Sequence, residues 1–461
     1  MSLTAARRCA VVGVFAVSTA LALTANQSPA GRQSPSKIRP PAGAVAITNV
    51  TVIDVLSGAK HAAVTVVTNG SEIAAVGRGV PIPPGAVRVD GTGKFLIPGL
   101  WDMHSHNQAA GVESLDLYLA HGVVGTRDMG SDLDFILPLR DRLRRGEVSG
   151  PEIVASGPML DNAPADWPFR RRVTNAQEAR EAVRDLKQRG VDFIKVHNNT
   201  PREAFFAIAQ EAPKLGLPFA GHVPFAVTIA EGAASGMRTI EHFSESRVFR
   251  ECAGTSQPQR GAQSPSGPYD AERCRPLFDD LAARGIWQTP TLAFSRALPD
   301  VFAGKPMPHA DYASDSLLEL TRKNIEASKL SEQSLSIIRG LSRTSLTVIR
   351  DMLPRGNAFL AGCDGSVPGF CLHDELQVLT EAGLSPLQAI QAATINPARL
   401  LGREQTQGSV AARQRADLVL LDADPLADIA NIRRIAAVVV RGRLLSKTDI
   451  DRMLASRRRP K

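Results

Sequence analysis

The chain changes texture twice along its length. From about residue 44 to residue 97, runs such as "AVAITNVTVID", "HAAVTVVTNGSEIAAVG" and "VRVDGTGKFLIPG" are rich in Val, Ile and Thr and are separated by turn residues. That is the pattern of short β-strands. The same texture returns between residues 404 and 448, in "ADLVLLDADP" and "IAAVVVRGRLL". From 98 to 403, short apolar runs alternate with amphipathic stretches such as "NAQEAREAVRDLKQRG" and "RPLFDDLAARG", often closed by a Gly where a helix C-terminus needs one. Such alternation predicts a parallel α/β domain. Eight apolar runs can be read: "LIPGLWDMHSH", "GVVGTRDMG", "PEIVASGPM", "DFIKVHN", "PFAGHVP", "TIEHFSE", "WQTPTLA" and "AFLAGCDGS". Eight strand–helix units predict an α/β fold of the (β/α)8 TIM-barrel type, with an open doubly wound sheet as the alternative. The interval from about 295 to 354 carries helical patterns of its own and could form a lid.

The ends of the chain carry separate signals. Arg7 and Arg8 precede the apolar run "CAVVGVFAVSTALAL", and small-residue cleavage sites follow at Ala20–Ala22 and Leu23–Ala25. Residues 1–25 therefore read as a signal peptide, with an uncleaved anchor helix as the alternative. Residues 26–43, rich in Pro, Ser and Gly, read as a linker. The expectation is export to the periplasm or beyond, with no stable membrane span after leader cleavage.

Charge removes other partners. Of the formal net charge of +8, six positive charges sit at the two ends, on Arg7, Arg8, Arg457, Arg458, Arg459 and Lys461, which leaves +2 for the body. A basic nucleic-acid-binding face is not expected. Residues 449–461 read as a solvated, disordered basic tail. Beyond the leader remain Cys252, Cys274, Cys363 and Cys371, an even count that permits disulfides in an exported chain. A Cys252–Cys274 bridge would close a loop rich in Ser, Gly, Pro and Gln.

In a barrel, chemistry gathers at the carboxyl ends of the strands. Those ends carry His104 and His106 on the first strand and Lys195 on the fourth, then His222, His242 and Asp364 on the fifth, sixth and eighth. Side chains alternate along a strand, so the rings of a His-x-His pair face the same way and can reach one ion. Neutral imidazole and carboxylate are good ligands for Zn²⁺ and similar divalent ions. Lys195 does not fit that set as it stands, because an ammonium has no lone pair. It is either a partner for Asp364, a snorkelling side chain, or a lysine converted by carboxylation into an anionic ligand. Among other polar residues, His197 could contact substrate or hydrogen-bond in the barrel mouth, and Arg127 could clamp a substrate carboxylate or pair with Asp128 or a neighbouring loop acid. His121 sits near a helix end where it could favour the dipole, and His373 could stabilise the helix it opens. Trp167 and Trp287 read as core or as pocket lining.

The quoted motifs resemble those of the amidohydrolase superfamily, in particular its imidazolonepropionase-like and prolidase-like members. "IPGLWDMHSH", "DFIKVH", "GHV", "IEHFSE" and "AGCDGS" look like the metal motifs of strands one, four, five, six and eight. "LTEAGLSPLQAIQAATINPARLLG" followed by "GSVAARQRADLVLLDADPL" looks like the family's exit from the barrel. The resemblance implies that both chain ends form one small β-sandwich beside the barrel. It also implies two divalent metal ions, with His104, His106 and Asp364 on one and His222 and His242 on the other. Carboxylated Lys195 would bridge them, with a hydroxide between, and Asp364 would act as general base. The usual Gly-Thr-Asp before the strand-eight aspartate is Gly-Cys-Asp here, and "RQRADLV" replaces the usual Gly-Lys-Ala-Asp; neither change removes a ligand. The implied activity is hydrolysis of a C–N amide bond in a small molecule, a dipeptide or N-acyl amino acid. A cyclic amide, as in imidazolonepropionase, is the alternative, and a catalytically silent binding barrel a third. Deaminases of the superfamily commonly carry Glu three residues after the strand-five His, where this chain has Phe225. An oligomer is compatible with the sequence, although no assembly signal is visible.

Overall fold

The computed structural model describes residues 43–163, 169–242, 251–252 and 269–460. The leader, most of the linker and Trp167 lie outside the described residues. Both β-rich ends enter one eight-stranded sheet. Val45–Ile53, Lys60–Asn69, Glu72–Gly77, Val87–Asp90 and Phe95–Pro98 come from the first, and Leu418–Leu421, Ile435–Val440 and Arg443–Ser446 from the second. The two ends are joined where Phe95–Pro98 runs antiparallel to Leu418–Leu421, with Leu96 opposite Leu420 and Ile97 opposite Val419.

Strand alternation explains why these runs are apolar at nearly every position. Ile97, Val419, Leu421, Val438 and Val440 pack into the large core of the α/β domain. Their neighbours Leu96, Leu418, Leu420 and Val439 face a second core that includes Val45, Ile47, Val64 and Ile73. A strand with apolar partners on both faces has no polar side to show.

The central domain is built of parallel strands. Leu100–Ser105, Val123–Asp128 and Glu152–Ala155 pair in that order. Met159–Asp161, Ile194–Val196, Phe219–Gly221, Thr239–Glu241 and Trp287–Thr289 follow in theirs, with the short Arg170–Arg172 beside Met159–Asp161. This sequential order lacks the reversal that a doubly wound sheet requires. The predicted third strand is broken at Gly157, whose φ of 67° turns the chain, so that its two halves pair with different neighbours. The predicted eighth strand is reduced to one bridge, Phe359 with Gln288. The chain beyond it still bonds to strand one: the Met103 amide donates to the Ala361 carbonyl at 2.9 Å, and the Cys363 and Asp364 amides donate to the His104 carbonyl at 3.1 and 2.7 Å.

Helices start where side chains satisfy the free amides of the first turn. Asn175 accepts from the Glu178 amide to open Ala176–Arg189, and Thr228 and Glu231 form a capping box on Ile229–Ala234. The interval after the seventh strand holds the helices Leu292–Phe302, Asp315–Ser328 and Glu332–Met352. Trp287 is partly buried against the large core. Among the described residues no helix is long and apolar enough to cross a membrane.

The basic tail departs from expectation. Lys447–Arg457 is a helix, opened by a capping box between Ser446 and Asp449 and seated through Ile450 and Met453. Its arginines meet acids: Arg457 pairs with buried Asp116 at 2.6 Å, Arg458 with Asp311 at 3.2 Å and Arg459 with Asp315 at 2.5 Å. Read as a charge run, the segment looks free; read for its caps and acid partners, it is a docked element. Arg457→Ala should cost about 3 kcal/mol, because it leaves Asp116 buried and uncompensated. A drop of several degrees in melting temperature would register it, whereas Arg458→Ala, at a half-exposed pair, should shift stability by less than about 1 kcal/mol.

Candidate active site

The first strand, Leu100–Ser105, delivers His104 to the interior, with His106 immediately beyond it. Three ring nitrogens meet Asp364. His106 Nε2 lies 3.3 Å from Oδ1, His104 Nε2 lies 3.8 Å from the same oxygen, and His242 Nε2 lies 3.6 Å from Oδ2. The His222 ring is 4.8 Å from that of His242, and the His104 ring is 4.6 Å from it. Lys195 is only 1% exposed. Its stem lies against Gly221, where an added Cβ would sit 2.7 Å from Lys195 Cδ. The geometry thus brings together His104, His106, His242 and Asp364 directly, with His222 and Lys195 beside them.

The opposite nitrogen of each imidazole is engaged elsewhere. His104 Nδ1 is 2.8 Å from Glu241 Oε2, and His106 Nδ1 is 3.2 Å from the Gly130 carbonyl. His222 Nδ1 is 3.0 Å from Asn198 Oδ1, and His242 Nδ1 is 2.5 Å from Thr291 Oγ1. A carbonyl, amide or carboxylate oxygen accepts the Nδ1 proton, so in the neutral ring Nε2 keeps its lone pair. Lone pairs of His104 and His106 therefore face the Asp364 carboxylate. Such a set of acceptors is satisfied by a cation or a shared proton.

Burial sets the charge states. It holds His104 and His222 well below the ordinary imidazole value, with Lys195 adding to the effect. His242 is lowered by the same burial. For His106 burial pulls downward, but contact with Asp364 prevails and raises it. Burial would raise Asp364, yet His242, His106 and His104 hold it well below the usual carboxylate range. Lys195 is brought down to about 8 by burial, against the pull of Glu241 and Asp364.

The backbone is strained at the same place. His242 (φ 54°), Thr291 (φ 48°) and Asp364 (φ 56°) are all left-handed, a region unfavourable to residues with a Cβ. The strain aims side chains off the strand ends into one space. Room for them comes from Gly362, where an added Cβ would lie 2.6 Å from His104 Cβ.

The supporting acids Glu241 and Asp161 escaped the sequence reading, and the roles of Arg127 and His197 follow from them. Arg127 is not a substrate clamp: it is buried, and its guanidinium donates to Glu241 Oε1 at 2.8 Å, Thr239 Oγ1 at 3.0 Å and the Met103 carbonyl at 2.7 Å. Glu241 thus joins Arg127 to His104. The signal was a Glu directly before a strand-end His in an otherwise apolar run. His197 bonds Asp161 at 3.2 Å and lies 4.2 Å from the His222 ring, while Asp161 also pairs with Arg170. A second group of ligand-type residues, Asp102, Cys363 and Cys371, offers no thiolates, because Cys363 and Cys371 form a disulfide. Cys252 and Cys274 form a second disulfide, one of the pairings the sequence left open.

His121 and His373 belong to packing. His121 Nδ1 donates to the Leu117 carbonyl at 2.8 Å, and His373 Nε2 lies 3.0 Å from the His121 carbonyl. Burial depresses His121 to about 4, so it is neutral at neutral pH and does not act on the helix dipole as a cation. The unfolded chain takes up this proton near pH 6.5 and the folded chain only near 4. The stabilisation is therefore complete above pH 6.5 and is lost as pH falls toward 4. His121→Gln should flatten the fall of melting temperature between pH 6.5 and 4.5; an unchanged slope would reject the assignment.

A family model described as "Amidohydrolase family" matches residues 95–445. An imidazolonepropionase of Rubrobacter xylanophilus is 27% identical over 424 residues, covering 83% of this chain and 90% of that protein. A bottromycin amidohydrolase structure is similar with a TM-score of 0.69 and 25% identity, covering 91% of this chain and 90% of that one. A prolidase complexed with N-methylphosphonate-L-proline is similar with a TM-score of 0.67 and 23% identity, covering 87% of this chain and 99% of that one. The architecture is accordingly a TIM-barrel-like α/β fold.

Proposed function

The chain belongs to the amidohydrolase family and is a hydrolase acting on carbon–nitrogen bonds, and from that premise we propose that it is an exported, binuclear metal-dependent hydrolase of dipeptides or N-acyl amino acids. One observation carries the reading: imidazole Nε2 atoms converge on Asp364 while their Nδ1 atoms are tied to other oxygens. That donor set fits a divalent cation, with Zn²⁺ the default for imidazole and carboxylate. His104, His106 and Asp364 would hold one ion, and His222 and His242 the second. The depressed Lys195 supports carboxylation, since its Nζ carries free amine at a pH where an exposed lysine would not. Attack of Nζ on carbon dioxide releases a proton and leaves a carbamate whose two oxygens could reach both ions. We read the strands as a closed eight-unit barrel and the sheet of the two chain ends as folding into a sandwich on its second core. The leader, residues 1–25, supports the periplasm or beyond.

When bound, such ions lower the pKa of water and polarise a carbonyl. The chain's own residues do the rest. Glu241 holds His104 in one tautomer, and Arg127 holds Glu241. Asp364 accepts the proton of the attacking water and returns it to the leaving nitrogen. The left-handed φ of Asp364 aims its carboxylate at the ring nitrogens of His104, His106 and His242, which supports this role.

A cyclic amide remains the second reading, favoured by the similarity to an imidazolonepropionase, because ring opening uses the same attack on an amide carbon. The test is a hydrolysis screen of dipeptides, N-acyl amino acids and cyclic amides on metal-loaded protein. Turnover of the first two classes is expected, and ring opening alone would select the second reading. Chelation should abolish turnover and added Zn²⁺ restore it. Asp364→Asn should retain part of the metal and lose about 100-fold or more in kcat; near-normal turnover would reject the role of Asp364.

A further inference from the structure

The loop that delivers Asp364 is closed on itself. Residues 363–371 read Cys-Asp-Gly-Ser-Val-Pro-Gly-Phe-Cys, and the cysteines at its ends form a disulfide with their Cα atoms 5.5 Å apart. Asp364 directly follows the first of them. Cys371 is the second residue of the helix Phe370–Glu381. The strained conformation of Asp364 needs neighbours that enforce it. On the strand side they are hydrogen bonds: the amides of Cys363 and Asp364 donate to the His104 carbonyl, and the Cys363 amide is also 3.1 Å from Asp102 Oδ1. On the other side the chain leaves through Gly365, and the Ser366 amide donates back to the Asp364 carbonyl at 3.0 Å. The next fixed point is Val367, buried beside Leu117 and Leu317.

The helix at the far end of the bridge is itself anchored. Glu375 Oε2 accepts from the Ala293 amide at 2.7 Å, and His373 bonds the His121 carbonyl. Both bridging cysteines are buried. The disulfide is therefore a short covalent strut from an anchored helix to the residue beside Asp364.

We propose that Cys363 and Cys371 are positioning residues, whose disulfide keeps Asp364 in the conformation that presents its carboxylate to the histidines, so that turnover depends on the bridge being oxidised. This rests on the reading of Asp364 as proton carrier. The Cys252–Cys274 bridge is removed for the test, so that the thiols released report on Cys363–Cys371 alone.

The test uses the full chain carrying Cys252→Ser and Cys274→Ser, in which the Cys363–Cys371 bridge remains. Tris(2-carboxyethyl)phosphine is added until two further thiols per chain titrate. The S–S bond breaks, the phosphine becomes its oxide with oxygen from water, and the two protons of that water go to the thiols. Metal content is matched before assay with the substrate that the screen identifies. The expected result is a fall in kcat of tenfold or more, with KM changed less than threefold, unchanged far-ultraviolet circular dichroism, and recovery on reoxidation by a disulfide reagent. A kcat within twofold of the oxidised protein while both thiols titrate would overturn the proposal. If the bridge resists the phosphine, Cys371→Ala is read by kcat, KM and circular dichroism, with the same limits and no reoxidation step. Asp364→Asn separates the two readings. Normal turnover in that variant removes the catalytic reading. An inactive Asp364→Asn alongside a fully active reduced protein removes only the positioning role.

Discussion

The interior of the α/β domain must hold charge away from solvent, and the Arg127–Glu241–His104 chain is how it does so. Arg127 is 3% exposed and Glu241 1%. Removing either ion from water costs several kcal/mol, and their attraction offsets this only if the remaining donors and acceptors are also satisfied. They are: Arg127 reaches Met103, Thr239 and Thr289 as well as Glu241. Those partners stand on the first, sixth and seventh strands, and Arg127 on the second. One guanidinium therefore ties four strands together, by an ion pair to the sixth and hydrogen bonds to the first, sixth and seventh. The same Glu241 sets the His104 tautomer, so the element that makes the interior stable also decides which nitrogen faces Asp364.

The parts of this arrangement legible in the sequence are those with a short period. His104 and His106 share a direction because strand side chains alternate, and no distant contact is needed to see it. The near-continuous apolar run at Leu418–Leu421 reads as a strand, and it is one, which the structure buries on both faces. What the sequence hides is set by contacts between residues far apart or by backbone geometry. Asn198, Thr291 and Gly130, which orient three of the four histidines, are ordinary loop residues until the fold places them. The left-handed φ of His242 and Asp364 has no local signature, since neither is Gly. Arg127 looked available for a substrate carboxylate only because its partner lay 114 residues away. The C-terminal helix was hidden differently: the Ser446–Asp449 box is legible, but a run of arginines outweighed it.

Charge balance gives the proposed Lys195 chemistry its physical sense. As an ammonium, Lys195 with Arg127 offsets Glu241 and Asp364, while burial favours the neutral form of His104, His222 and His242. Two divalent cations beside such a lysine would face repulsion in a medium that screens poorly. Carboxylation changes the sign at one buried position rather than merely removing a charge, and it supplies oxygen where nitrogen offered no lone pair. Burial assists by the same physics that makes the ammonium costly, since desolvation weakens the hold on the proton that must leave before Nζ can attack. A lysine at the surface would gain nothing from this exchange. On the proposed reading, the burial of Lys195, which looks like a fault in a hydrophobic strand, is what would favour its conversion into a ligand.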